Sequence, residues 1–128
     1  MPITFQLDAP RRRIRTTVAG SVTVDEVATH FAVLVRDQVI GYADLIDARA
    51  AKGPGWFSAD VRRAAELVRN LGGEGPVGPR AVLVSSAAAF GMVRMLSVLL
   101  SPRMTMEVFR DPDSAEKWMD LMSPAGTG

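Results

Sequence analysis

The sequence predicts an α/β fold with the element order β-β-α-β-α-β-α-β-α. Three features carry this expectation. Two alternating runs, Ile3–Leu7 and Arg13–Ala19, flank the turn Asp8-Ala9-Pro10 and read as an antiparallel hairpin. Beyond it, helical spacings alternate with short apolar runs, as in strand–helix–strand units. Right-handed crossovers then give a mostly parallel five-stranded sheet with helices on both faces.

Each element has its own signal. Ile3, Phe5 and Leu7 alternate with Thr4 and Gln6, the mark of a half-buried strand. Pro10 fixes its own φ and keeps Ala9 out of the helical region, which forces the turn. Ile14, Thr16 and Val18 share one face of the second strand. Thr23-Val24-Asp25-Glu26 is a capping-box pattern, followed by Val27, Ala28, Phe31, Leu34 and Val35 at helical spacing. Tyr42–Ala48 is the third strand, where Asp44 must be paired or at an edge. Ser58 is the expected N-cap of a second helix, with Val61, Ala64, Ala65, Val68 and Leu71 on its inner face. The glycine-rich stretch Gly72–Pro79 ends that helix.

Ala81–Val84 is a continuous apolar strand, as expected where helices cover both faces. Ala87–Leu100 is a helix in which only Arg94 and Ser97 are polar. Met104–Phe109 is the last strand. Asp111 N-caps a final helix with Pro112 in its first turn and Ala115, Trp118, Met119 and Met122 inward. Residues 123–128 are expected to be a disordered tail around a single domain at 3–122.

Composition narrows the function classes. The 128 residues are 48% apolar and 23% charged, with a formal net charge of +1. That fits one globular domain. The absence of cysteine excludes disulfides and thiolate metal sites and fits a cytoplasmic address. No secretory signal is recognisable. The apolar helix of 14 residues is too short to span a bilayer, so no transmembrane segment is expected. Thirteen arginines against two lysines leave little net charge, which argues against a nucleic-acid partner.

No catalytic constellation stands out, so the chain reads as a non-enzyme. The sole histidine, His30, precedes the core residue Phe31 and is expected at the surface or rim. It leaves a Ser-His-Asp site or a histidine metal site without support, and no cofactor is implied. Gly72–Pro79 precedes a strand and lacks the phosphate-loop order. Arg11-Arg12-Arg13 with Arg15 reads as a solvated edge that discourages aggregation. Trp56 and Phe57 read as loop anchors, with a pocket cap as the alternative.

Ligands of open parallel sheets bind beyond the carboxyl ends of the strands. There the chain offers Asp47 and Arg49, Ser85 and Ser86, Arg110, and Ser58 at a helix start. Asp47 and Arg49 fit a structural ion pair equally well. On a helical wheel of Ala87–Leu100, Met92, Leu96 and Leu99 face the core, while Phe90 and Val98 flank Arg94 outward. That outward strip has the composition of an interface.

The segments ADLIDAR, AVLVSSAAAFGMVRM and MEVFRDPDSAEKWM, after one N-terminal hairpin, resemble SpoIIAA-like proteins of the STAS superfamily. The resemblance spans roughly Ile3 to Met122 and implies that fold. It also suggests a regulatory switch, because antagonists of anti-sigma factors in this superfamily carry a phosphorylated serine in a D-S-S-G motif. Here the matching region reads Trp56-Phe57-Ser58-Ala59-Asp60, so only Ser58 survives as a candidate phosphosite and the glycine is absent. The SEC14-like side of the resemblance implies an apolar or lipid-like ligand, for which Met92, Met95, Met104, Met106, Met119 and Met122 would form an adaptable wall.

Three functional expectations follow. The first is a non-enzymatic STAS-like binding module, homodimeric through Phe90, Arg94 and Val98. The second is a carrier of a small apolar molecule bound near Asp47, Arg49, Ser58, Ser86 and Phe90. The third is a partner-switching regulator of another protein, controlled at Ser58.

Overall fold

The computed structural model describes residues 2–52, 56–72 and 75–123. Its elements are β1 (Ile3–Asp8), β2 (Arg13–Gly20), α1 (Val24–Arg36), β3 (Ala43–Ala51), α2 (Ser58–Arg69), β4 (Arg80–Leu83), α3 (Ala87–Leu100), β5 (Met106–Phe109) and α4 (Pro112–Met122). The order is the expected one. Two strand ends move by two residues or more: β3 continues to Ala51, and β5 starts late because the Met104 amide closes a turn onto the Leu100 carbonyl at 3.1 Å. Residues 53–55 and 124–128, where a loop and most of the tail were expected, lie outside the described residues. Ser123 is held in place, since its carbonyl accepts from Arg13 Nη2 at 2.7 Å.

Strand order in the sheet equals chain order. β1 and β2 pair antiparallel, with Ile3 opposite Val18, and every later pair is parallel. Each crossover therefore steps one strand further in the same direction. Right-handed connections then place α1, α2 and α3 on one face. α2 packs between α1 and α3, while α4 covers β3, β4 and β5 from the opposite face.

Strand alternation divides the core accordingly. Ile14, Val18, Ile46, Val82, Val84, Met106 and Val108 join Phe31, Leu34, Val68 and Leu100 on the three-helix side. Ala43, Leu45 and Ala81 meet Ala115 and Met119 on the α4 side, flanked by Phe109 and Trp118. Met122, expected inward, is exposed as the last residue of α4.

Capping follows the residue types. Thr23 Oγ1 accepts from the Glu26 amide at 3.1 Å, and Glu26 Oε1 accepts from the Thr23 amide at 2.9 Å. Asp111 Oδ2 accepts from the Ser114 amide at 3.1 Å. The start of α2 departs from expectation. Phe57 is the extended cap residue and Ser58 lies in the first turn. The Phe57 amide donates to Asp60 Oδ2 at 2.8 Å, so the carboxylate satisfies the cap residue's own amide, and no cap side chain accepts from the first turn.

The arginine run is not simply a solvated edge. β2 lies inside the sheet, so alternate residues face α4. Arg13 is buried and donates to Asp120 Oδ1 at 2.8 Å, while Arg15 pairs with Glu116. Arg12 adopts a left-handed φ of 55° and lays its guanidinium 5.0 Å from the Tyr42 ring centroid.

Candidate functional site

The first turn of α3 is Ala87-Ala88-Ala89, and Ala48 and Ala51 lie at the end of β3. These methyl groups cannot fill the gap between helix and sheet. Only Leu100 in α3 is fully buried, and the rest of its apolar residues are half-covered or exposed. The result is a cavity of ≈ 370 Å³ bounded by the sheet, α1 and α3.

Its floor is built by Thr16, Val18, Ile46, Val82, Val84 and Met106. Met92, Val93 and Leu96 descend from α3, and Val27, His30 and Phe31 close it from α1. The mouth lies at the carboxyl ends of β2, β3 and β4. There Lys52, Ser85, Ser86 and Ala88 are exposed, and Trp56 leans over the edge. Trp56 Nε1 donates to the Val22 carbonyl at 3.1 Å, which fixes the indole against the rim. Ser86 N-caps α3, its Oγ accepting from the Ala89 amide at 3.1 Å.

Beyond the floor, toward the amino ends of β3 and β4 on the same face, sits a buried polar cluster. Asp44 and Arg80 are register partners on neighbouring strands, and neither is exposed. Thr16 Oγ1 donates to Asp44 Oδ1 at 2.9 Å, and Arg80 Nη1 donates to the Tyr42 and Gly78 carbonyls at 2.7 and 2.8 Å. Asp44 Oδ2, Arg80 Nε and Nη2, and His30 Nε2 have no partner among the described residues and no solvent contact.

Burial pushes the Asp44 carboxyl up to about 6, against the smaller opposing pull of Arg80 and Thr16. Burial, aided by the Arg80 charge, pushes His30 down to about 4. At neutral pH His30 is therefore uncharged, and Asp44 balances Arg80. The arrangement offers apolar volume whose walls are uncharged except for Lys52 at the mouth. Among the described residues it presents no nucleophile–base pair and no group of metal-ligating side chains.

The residues expected at the carboxyl ends are only partly brought together. Ser85 and Ser86 line the mouth. Asp47 lies at an odd position of β3, on the α4 side, and is bound by Arg49 through contacts of 3.0 and 2.8 Å. Those bonds hold its carboxyl below the usual range. Ser58 is exposed at the start of α2 and does not line the cavity. Phe90 is half-buried and packs against the core instead of facing outward. The inward stripe of α3 runs through Ala89, Val93, Leu96 and Leu100, which brings Phe90 to its flank. Arg94 and Val98 stay exposed.

Among the remaining lining residues, Trp56 takes the cap position weighed as the alternative to a loop anchor, His30, expected at the surface or rim, is half-buried in the α1 wall, and Lys52 was not singled out from the sequence. His30 follows Val27 by three positions, a spacing that places both on one face. Its ring packs edge-on between Phe5 and Phe31, at centroid distances of 5.4 and 5.7 Å.

No protein-family model matches the chain, and comparison with curated proteins finds no match. None of the described helices is long and apolar enough to cross a membrane.

Proposed function

We propose that this chain is a non-enzymatic, STAS-like binding module of the cytoplasm that carries a small apolar molecule between α3 and the sheet. The cavity carries the reading. Its ≈ 370 Å³ falls within the roughly 300–1,000 Å³ of small-molecule sites, and its walls are mostly aliphatic and aromatic. Voids of this kind forfeit dispersion contacts when empty and accept apolar guests. The element order and the single antiparallel hairpin support the SpoIIAA-like resemblance as the frame for this site.

Binding of an environment-sensitive apolar dye tests the proposal. The folded protein should take up one dye per chain with enhanced fluorescence, and Ala48→Phe, which fills the floor, should abolish uptake. A folded protein that leaves the dye in water, or an Ala48→Phe variant that binds as well as the parent, overturns it.

A second reading is homodimer formation over α3. It is favoured by Val98, which is 68% exposed beside Arg94. Sedimentation at high micromolar concentration should show a dimer that Arg94→Glu dissociates; a monomer throughout removes this reading.

A further inference from the structure

We propose that the occupant is an amphipathic monocarboxylate, held with its apolar body in the cavity and its carboxylate at the mouth beside Lys52. This rests on the cavity being a binding site and specifies what it takes. The argument begins from the uneven polarity of the walls. Among the described lining residues Lys52 is the only Lys, Arg, Asp or Glu, and burial keeps His30 neutral at neutral pH. It is exposed and makes no ion pair among the described residues. The adjoining Gly53-Pro54-Gly55 has no charged side chain.

The other groups at the mouth reinforce that sign. The Ala87 and Ala88 amides have no acceptor among the described residues, and the first turn of α3 holds no acidic residue. Such amides favour a negative group near the helix start. Ser85 Oγ donates to the Arg49 carbonyl at 3.2 Å, and Arg110 Nη2 donates to the Ser85 carbonyl at 3.4 Å, which brings a further cation to this side. Arg49 is already matched by Asp47.

The deep end points the other way. The Thr16 hydroxyl is committed to Asp44, and the unpartnered atoms of Asp44, Arg80 and the lining residue His30 are all without exposed surface, so none of them is presented to the cavity. A ligand polar at both ends would bury one group without a partner, which weakens its binding. One polar end, one lysine without an ion pair among the described residues and an apolar body together point to a single-headed monoanion.

Titration calorimetry with decanoate, 1-decanol and decyl phosphate at neutral pH tests this. Decanoate should bind the parent about tenfold tighter than decanol, the scale of one partly desolvated ion pair with helix-end support. Decyl phosphate should bind no tighter than decanoate. Lys52→Glu should remove the decanoate advantage and leave decanol within about twofold. Equal affinity for acid and alcohol, a preference for the phosphate, or indifference to Lys52→Glu overturns the inference and leaves the apolar site standing. If none of the three binds, the reading of the cavity fails with it. Lys52→Ala, which removes the charge without reversing it, should give an intermediate loss.

Discussion

Asp44 and His30 titrate in opposite senses on the same side of the sheet. Asp44 moves from 3.8 to about 6 on folding, so the folded chain holds the extra proton between those values. Its contribution is present below 3.8 and lost as pH rises through about 6, about 3 kcal/mol over the window. His30 moves from 6.5 down to about 4, so its contribution is present above 6.5 and lost as pH falls through about 4. Between roughly pH 4 and 6 the two slopes oppose each other, and the parent protein should show a shallow dependence from this pair. His30→Phe should instead gain stability on acidification, and Asp44→Asn should lose it. Urea midpoints across that range decide the matter; parallel curves for the two variants would contradict it. Arg80→Met should cost about 3–5 kcal/mol, because it strands Asp44 and two carbonyls. The sequence foretold that Asp44 needed a partner. It did not foretell Thr16 or Arg80, because both depend on strand register. His30 escaped notice for a similar reason: Phe5, which packs against it, lies on another element.

Helices and strands were legible because their periods were clean; their ends were less so. Thr23 and Asp111 cap as their patterns indicate, but α2 begins at the obvious serine itself, with Phe57 before it as the cap residue. Ser58→Ala should therefore change stability by less than about 0.5 kcal/mol, as at an ordinary surface position. Asp60→Ala, which frees the Phe57 amide, should cost about 1 kcal/mol, similar to Thr23→Ala. Denaturant titration of the three variants checks the ranking, and a Ser58 cost equal to that of Thr23 would return the cap to Ser58. In α3 the wheel put Leu96 and Leu99 inward correctly and misplaced Phe90. With apolar side chains on nearly every side of the helix, composition alone does not fix its rotation. The approach of α2 and β5 does. The junction before β4 is tighter. A Cβ on Gly78 would collide with the Tyr42 and Gly41 carbonyls, so Gly78→Ala should be among the most damaging small substitutions.

At the scale of the whole molecule, a sheet whose strands follow chain order has no reversal point, so no crevice opens between helices on opposite faces. The space opens instead under the alanine-rich start of α3. Its volume depends on the distance between helix and sheet, which no residue pattern states. The same alanines make the cavity testable without knowing its natural occupant. Ala89→Leu adds apolar atoms to open space and should stabilise the empty protein by about 1 kcal/mol, since filling costs little where no neighbour must move. A bound guest acts through mass action and should contribute about 2.7 kcal/mol at a hundred times its Kd. The two effects compete for one volume. Decanoate should raise the melting temperature of the parent well above that of the empty protein, and it should raise that of Ala89→Leu little beyond its already elevated starting point. Thermal melts of both proteins, with and without decanoate, separate the possibilities. A variant that melts lower than the parent and still responds fully to decanoate would place the guest somewhere other than under α3.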